Sequence, residues 1–184
     1  MSTSQEDLRR IALAEFASAG YGATSLQRIA ELAGLSKSSV LYHYGSKEQL
    51  LEAAIGPAID RMDEILAPLE RGGLSESRTE FLEEFVDFLL QYRLEVNMFI
   101  NQGPSLEDVP VIDRANALIL RLAEFLTANT ASVEEKMRFG IALGGAAYML
   151  CTVHARGLDA PPIDETRAAL VTIMSELLTP VRIP

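Results

Sequence analysis

The chain has 184 residues and a formal charge of −10, with 16 Lys and Arg set against 26 Asp and Glu. That length suits one compact unit or two small ones. An apolar share of 48% with 23% charged residues marks a globular chain, not a disordered one. At first sight so much net acid argues against nucleic acid, whose phosphates select basic surfaces.

Cys151 is the only cysteine, which excludes an intrachain disulfide and a zinc site built from several thiolates. No cofactor and no metal is expected. Met1-Ser2-Thr3-Ser4-Gln5-Glu6-Asp7 carries acid where a signal peptide carries base. The longest uncharged run, 139–155, falls short of the roughly 20 apolar residues of a membrane span and reads as a buried helix. A cytoplasmic protein with no membrane partner is expected.

In chain order the punctuation is that of helix after helix. Thr3-Ser4-Gln5-Glu6 forms a capping box, followed by Leu8, Ile11, Ala12 and Phe16 at helical spacing. Gly20-Tyr21-Gly22 stops this helix. Thr24-Ser25-Leu26-Gln27 is a second box, opening a short helix that Gly34 breaks. Ser36 caps a third helix holding Val40, Leu41 and Tyr44, ended by Gly45, and Ser46-Lys47-Glu48-Gln49 is a third box. The fourth helix carries Leu51, Ile55, Ala58, Met62, Ile65 and Leu69. Pro57 removes the amide that would bond the Ala53 carbonyl, so a kink at Gly56-Pro57 is expected. Further helices are expected at 76–93, 95–101, 110–129, 132–156 and 164–178. No strand-like alternation and no internal repeat competes.

The charge divides unevenly. Residues 1–48 balance Arg9, Arg10, Arg28, Lys37 and Lys47 against Glu6, Asp7, Glu15, Glu31 and Glu48. The whole −10 therefore lies beyond residue 48. A neutral head on an acidic body suits an oriented contact with DNA more than a loose coating.

Three short helices before a long one is a helix-turn-helix layout. The segment from Thr24 to Lys47 closely resembles the DNA-binding head of TetR-family transcriptional regulators, with His43, Tyr44 and Lys47 on the family's motif. Leu41 stands where that family most often has tyrosine, with Tyr42 one position later, and Ser38 replaces the more usual glycine. The local chemistry points the same way. Ser36 places a helix N-terminus and its free amides at a groove, and Lys47 sits where the helix dipole disfavours a cation unless a phosphate lies nearby. The candidate DNA contacts are Ser25, Arg28, Ser36, Lys37, Ser38, Ser39, Tyr42, His43 and Lys47.

The resemblance implies an all-α protein of about nine helices. Its DNA-binding domain spans 1–46, and a ligand-binding and dimerisation domain spans 47–184. Met62, Phe85, Phe88, Tyr92, Met98, Phe99, Gln102 and Tyr148 are candidates to line a pocket for an unknown small-molecule effector, and core is the competing role for each. The helix at 132–156 is apolar on two faces: Met137, Ile141, Gly144, Tyr148 and Cys151, and Phe139, Leu143, Ala146, Leu150 and Val153. Leu143, Ala146, Leu150, Leu170, Ile173, Met174 and Leu177 are the candidate homodimer interface. His154 suits a helix C-terminus. The reading is a repressor released from a palindromic operator on double-stranded DNA. A constitutive DNA- or protein-binding module with a filled body is the alternative. An all-helical enzyme lacks a metal-spaced cluster, a phosphate-cradling loop and a nucleophile with an evident base.

Overall fold

The computed structural model describes residues 5–103, 106, 109–130, 132–155 and 161–178, the side chains of 74–77 and 151–155 excepted. The fold is all-α. Among the described residues there are nine helices and no strand: α1 Gln5–Ala19, α2 Leu26–Ala33, α3 Lys37–Tyr44, α4 Lys47–Gly72, α5 Leu74–Gln91, α6 Arg93–Gln102, α7 Pro110–Asn129, α8 Val133–Ala155 and α9 Ile163–Leu177. The cap expected at Thr3 lies outside the described residues, as do the side chains of Cys151, Val153 and His154.

Local chemistry sets most of these ends. Ser36 and Ser46 cap α3 and α4 as expected, accepting from the amides of Ser39 and Gln49 at 3.1 Å each. The α2 box is shifted by one residue. Ser25, not Thr24, is the cap and accepts from the Arg28 amide at 3.1 Å. Thr24 is buried instead, and its hydroxyl donates to the Gly20 carbonyl at 2.8 Å. Gly34 closes α2 at φ +66°, a left-handed conformation that favours glycine. The boundary between α5 and α6 falls two residues earlier than the spacing predicts. Tyr92 ends one helix and begins the next: its amide donates to Phe88 and its carbonyl accepts from Val96.

α4 organises the molecule. It stays helical through Pro57 and also through Pro68, so neither proline stops it. It packs on α1, α5 and α7, while α6 lies against α1 and α8, and α9 against α5 and α8. Leu8, Ala12, Phe16, Ile29, Ala30 and Val40 of the head form one apolar core with Leu50 and Leu51 of α4. That core continues into Ile65, Leu66, Leu69, Phe81, Leu82 and Val86. Each large side chain buried this way contributes about 1.5–3 kcal/mol. No described helix is long and apolar enough to cross a membrane.

Candidate nucleic-acid interface

α2, the turn Gly34-Leu35-Ser36 and α3 form the helix-turn-helix. The turn is fixed by the Leu35 amide donating to the Ala30 carbonyl at 2.8 Å and by Ile29, Ala30, Ala33 and Val40 packing beneath. Val40 is the buried side chain of α3, so most of that helix faces outward. α3 holds no acid, although the chain is strongly acidic overall. Its first turn gathers three hydroxyls: Ser36 Oγ lies 2.9 Å from both Ser38 Oγ and Ser39 Oγ. Donor hydroxyls, free amides and the positive end of the helix dipole meet at one point, a surface suited to a phosphate oxygen or a base edge. Lys37 is exposed beside them.

One turn further on, Tyr42 is 87% exposed, the most solvent-facing of the large apolar side chains described. Its ring meets the exposed His43 edge-on, with centroids 5.5 Å apart, and His43 Nδ1 lies 3.3 Å from Gln5 Nε2. Tyr44 is turned back into the protein, its hydroxyl donating to the Gln5 carbonyl at 3.0 Å. Between the two tyrosines of α3, Tyr42 presents its hydroxyl outward while Tyr44 holds the end of α1.

The structure brings Ser36, Lys37, Ser38, Ser39, Tyr42 and His43 together on α3. It places the other three candidates differently. Ser25 is exposed but serves as the α2 cap. Arg28 pairs with Glu15 of α1 at 3.2 Å, although half its side chain stays exposed. Lys47 turns inward: its ammonium donates to the Tyr21 carbonyl and sits 4.1 Å above the centre of the Tyr21 ring. An intramolecular partner thus accounts for the lysine that sequence reasoning assigned to a phosphate. Burial lowers the Lys47 pKa, with Glu48 opposing. Tyr21 is raised to about 12, chiefly by burial and then by the Glu48 carboxylate, to which its hydroxyl donates at 3.4 Å.

In the body, expectation and placement diverge. Phe85, Phe88 and Met98 are core, and Phe81, Phe85, Phe88 and Tyr92 stack in a ladder with centroids 5.3–6.4 Å apart. Met62 and Phe99 pack against that core. Gln102 does not line a pocket. Its Nε2 donates to the Phe16 carbonyl and its Oε1 accepts from the Tyr21 amide, both at 2.7 Å, tying α6 to the head's backbone. Tyr148 is 54% exposed on the outside of α8. A groove of about 390 Å³ lies instead between α8, α9 and the end of α5, lined by Leu90, Arg93, Met149, Leu150, Leu170 and Ile173 among others.

The dimer assignment takes a similar correction. Leu143, Ala146, Leu150 and Met174 are buried within the protomer, while Leu170 and Leu177 are partly buried. Ile173 remains open at 52%. The more exposed face of α8 is the other one, with Met137, Ile141 and Tyr148 each more than half exposed. A Cβ built on Gly144 or Gly145 would meet nothing within 4 Å.

Sequence reasoning passed over four arginines. Arg61 pairs with Glu64 and Glu84, Arg114 with Glu52 and Asp60, Arg121 with Asp63 and Glu70, and Arg167 with Asp87. The two-turn spacing of Arg114 and Arg121 was the available signal. Among the described residues no three of His, Cys, Asp or Glu group as metal ligands would.

Comparison with known proteins bears on the head most directly. Residues 8–54 match the family described as bacterial regulatory proteins, tetR family. The chain is 39% identical over 70 residues to the HTH-type transcriptional regulator RutR of Escherichia coli K12, covering 38% of this chain and 32% of RutR. It is 29% identical over 118 residues to the HTH-type transcriptional repressor KstR2 of Mycolicibacterium smegmatis, covering 59% and 54%. The matched stretch thus spans a third to a half of these relatives' lengths. Solved structures agree over nearly the whole chain. The ketosteroid transcriptional regulator KstR2 of Mycobacterium tuberculosis aligns with a TM-score of 0.65 at 16% identity, covering 95% of this chain and 92% of that one. A TetR-family regulator from Bordetella parapertussis aligns at 0.68 and 20% identity, covering 92% and 93%. Identities this low establish a shared fold.

Proposed function

From a head whose residues 8–54 match the tetR family of bacterial regulatory proteins, we infer a DNA-binding transcriptional regulator without catalytic activity, acting in the cytoplasm. The observation that carries the reading is α3: acid-free, outward-facing, and opening on a Ser36-Ser38-Ser39 cluster with Lys37, Tyr42 and His43 beside it. Residues 1–46 are the reading head and 47–184 the regulatory body.

The protein acts as a homodimer, placing two copies of α3 about 34–36 Å apart in successive major grooves of a palindromic operator. The open face of α8, with Ile173 of α9, supports this pairing. Its relatives' names include repressors, and repression is the proposed output. A small-molecule effector taken up by the body releases the operator by linkage: each ligand weakens the other because they favour different settings of the heads. The apolar groove at α5, α8 and α9 and the aromatic ladder of α5 supply lining. The close packing of Phe85, Phe88 and Met98 favours a second reading, a constitutive regulator with no effector.

Selection of bound genomic fragments at stated salt tests the main reading. A palindromic site is expected; no sequence preference at any salt overturns it. Thermal-shift screening against metabolites separates the two body readings, because a true effector raises the melting temperature by mass action.

A further inference from the structure

α4 has two weak points. Pro57 leaves the Ala53 carbonyl, and Pro68 the Glu64 carbonyl, without the amide four residues on. α7 runs alongside. Arg114 and Arg121 stand two turns apart on α7. Arg114 donates to Glu52 and to Asp60 at 2.6 Å each. Arg121 donates to Asp63 at 2.6 Å and to Glu70 at 2.8 Å. Each arginine therefore grips one acid before a proline and one after it: Glu52 and Asp60 enclose Pro57, while Asp63 and Glu70 enclose Pro68.

We propose that α7 is an electrostatic splint for α4, with Arg114 and Arg121 acting as positioning residues that tie together the turns on either side of each proline. The setting of the head relative to the body then depends on whether the splint is closed. The assignment rests on the regulator reading only in taking α4 as the link between operator and effector. The pairs are half-exposed, with side chains 34–66% accessible, so added salt screens them. Hydrogen bonds donated to the acids raise both arginine pKa values, keeping the guanidinium groups charged. The splint is therefore opened by ionic strength or by displacement of α7.

Native-state amide hydrogen exchange of the full chain tests this without DNA. The unaltered protein is compared with Arg114→Gln, Arg121→Gln and Arg114→Lys at about 50 mM and about 500 mM KCl. Each Gln variant is expected to speed exchange of the α4 amides around its own proline roughly two- to fivefold at low salt. α8 and α9 should stay unchanged. High salt should bring the unaltered chain toward the variants. Arg114→Lys keeps the charge but cannot fork to two carboxylates, and should fall between. Unchanged α4 exchange, or faster exchange spread evenly over all helices, overturns the proposal. Failure of the unaltered chain to select any DNA counts against the regulator reading alone, since the exchange is read separately.

Discussion

Single side chains here do work that their residue type does not announce. Gln102 looks like a polar spot in an apolar pocket, yet it closes two backbone hydrogen bonds of the head. Gln102→Ala should cost about 1–3 kcal/mol, read as a lower melting temperature, because the Tyr21 amide loses its acceptor and the Phe16 carbonyl one of two donors. No loss would show that the bridge contributes nothing. Lys47 and Lys37 offer a paired test. Lys37→Ala should make the salt dependence of DNA binding shallower by about one unit, the signature of a lost phosphate contact. Lys47→Ala should leave that slope alone and cost about 1 kcal/mol of stability, since its ammonium is spent on Tyr21. The reverse result would return Lys47 to the interface. Tyr21 carries a pH dependence of its own. Its folded pKa of about 12 exceeds the ordinary value of 10, so the unfolded chain releases the phenolic proton first. The stability it contributes is complete below pH ~10 and is lost as the pH climbs toward ~12. Burial raises Tyr44 as well, so ultraviolet titration should find late-ionising tyrosine signal of which the latest component is absent in Tyr21→Phe.

Helices were readable because their signals are local. The 3.6-residue period, serine caps and breaking glycines place α3, α4 and α7 with little help from tertiary contacts. Ser36→Ala should remove the α3 cap, costing about 1 kcal/mol and weakening operator binding together; stable protein with unaltered affinity would separate the serine from both roles. What sequence could not decide was which of two apolar faces on one helix looks inward. On α8, Phe139-Leu143-Ala146-Leu150 and Met137-Ile141-Tyr148 have similar composition. Contact with α5 and α6, both distant in sequence, and with α9 buries the first. The inward turn of Lys47 and the bridging by Gln102 were equally illegible, since their partners lie on α1 and the loop after it. The α4–α7 charge pattern was legible in principle, because its acids and arginines repeat every two turns.

At the scale of the molecule, the proposed dimer rests on the open face of α8. Ile141→Glu combined with Tyr148→Asp should convert dimer to monomer in sedimentation velocity with little change in helix content, because both positions are already exposed. Leu143→Ala should instead destabilise the protomer by about 2–5 kcal/mol, as a core truncation does. If Leu143→Ala dissociates the dimer while the double variant does not, the faces have been assigned the wrong way round. The distribution of charge has a further consequence, for search. A protein that slides along DNA needs a sustained basic footprint. This one offers an acid-free helix on a neutral head, attached to a body holding all of the excess negative charge. Its encounters with random DNA should be brief, and it should find its operator by repeated collision from solution. If it regulates as proposed, its operator occupancy should follow copy number closely, so that a modest change in the protein's own expression would reset the output.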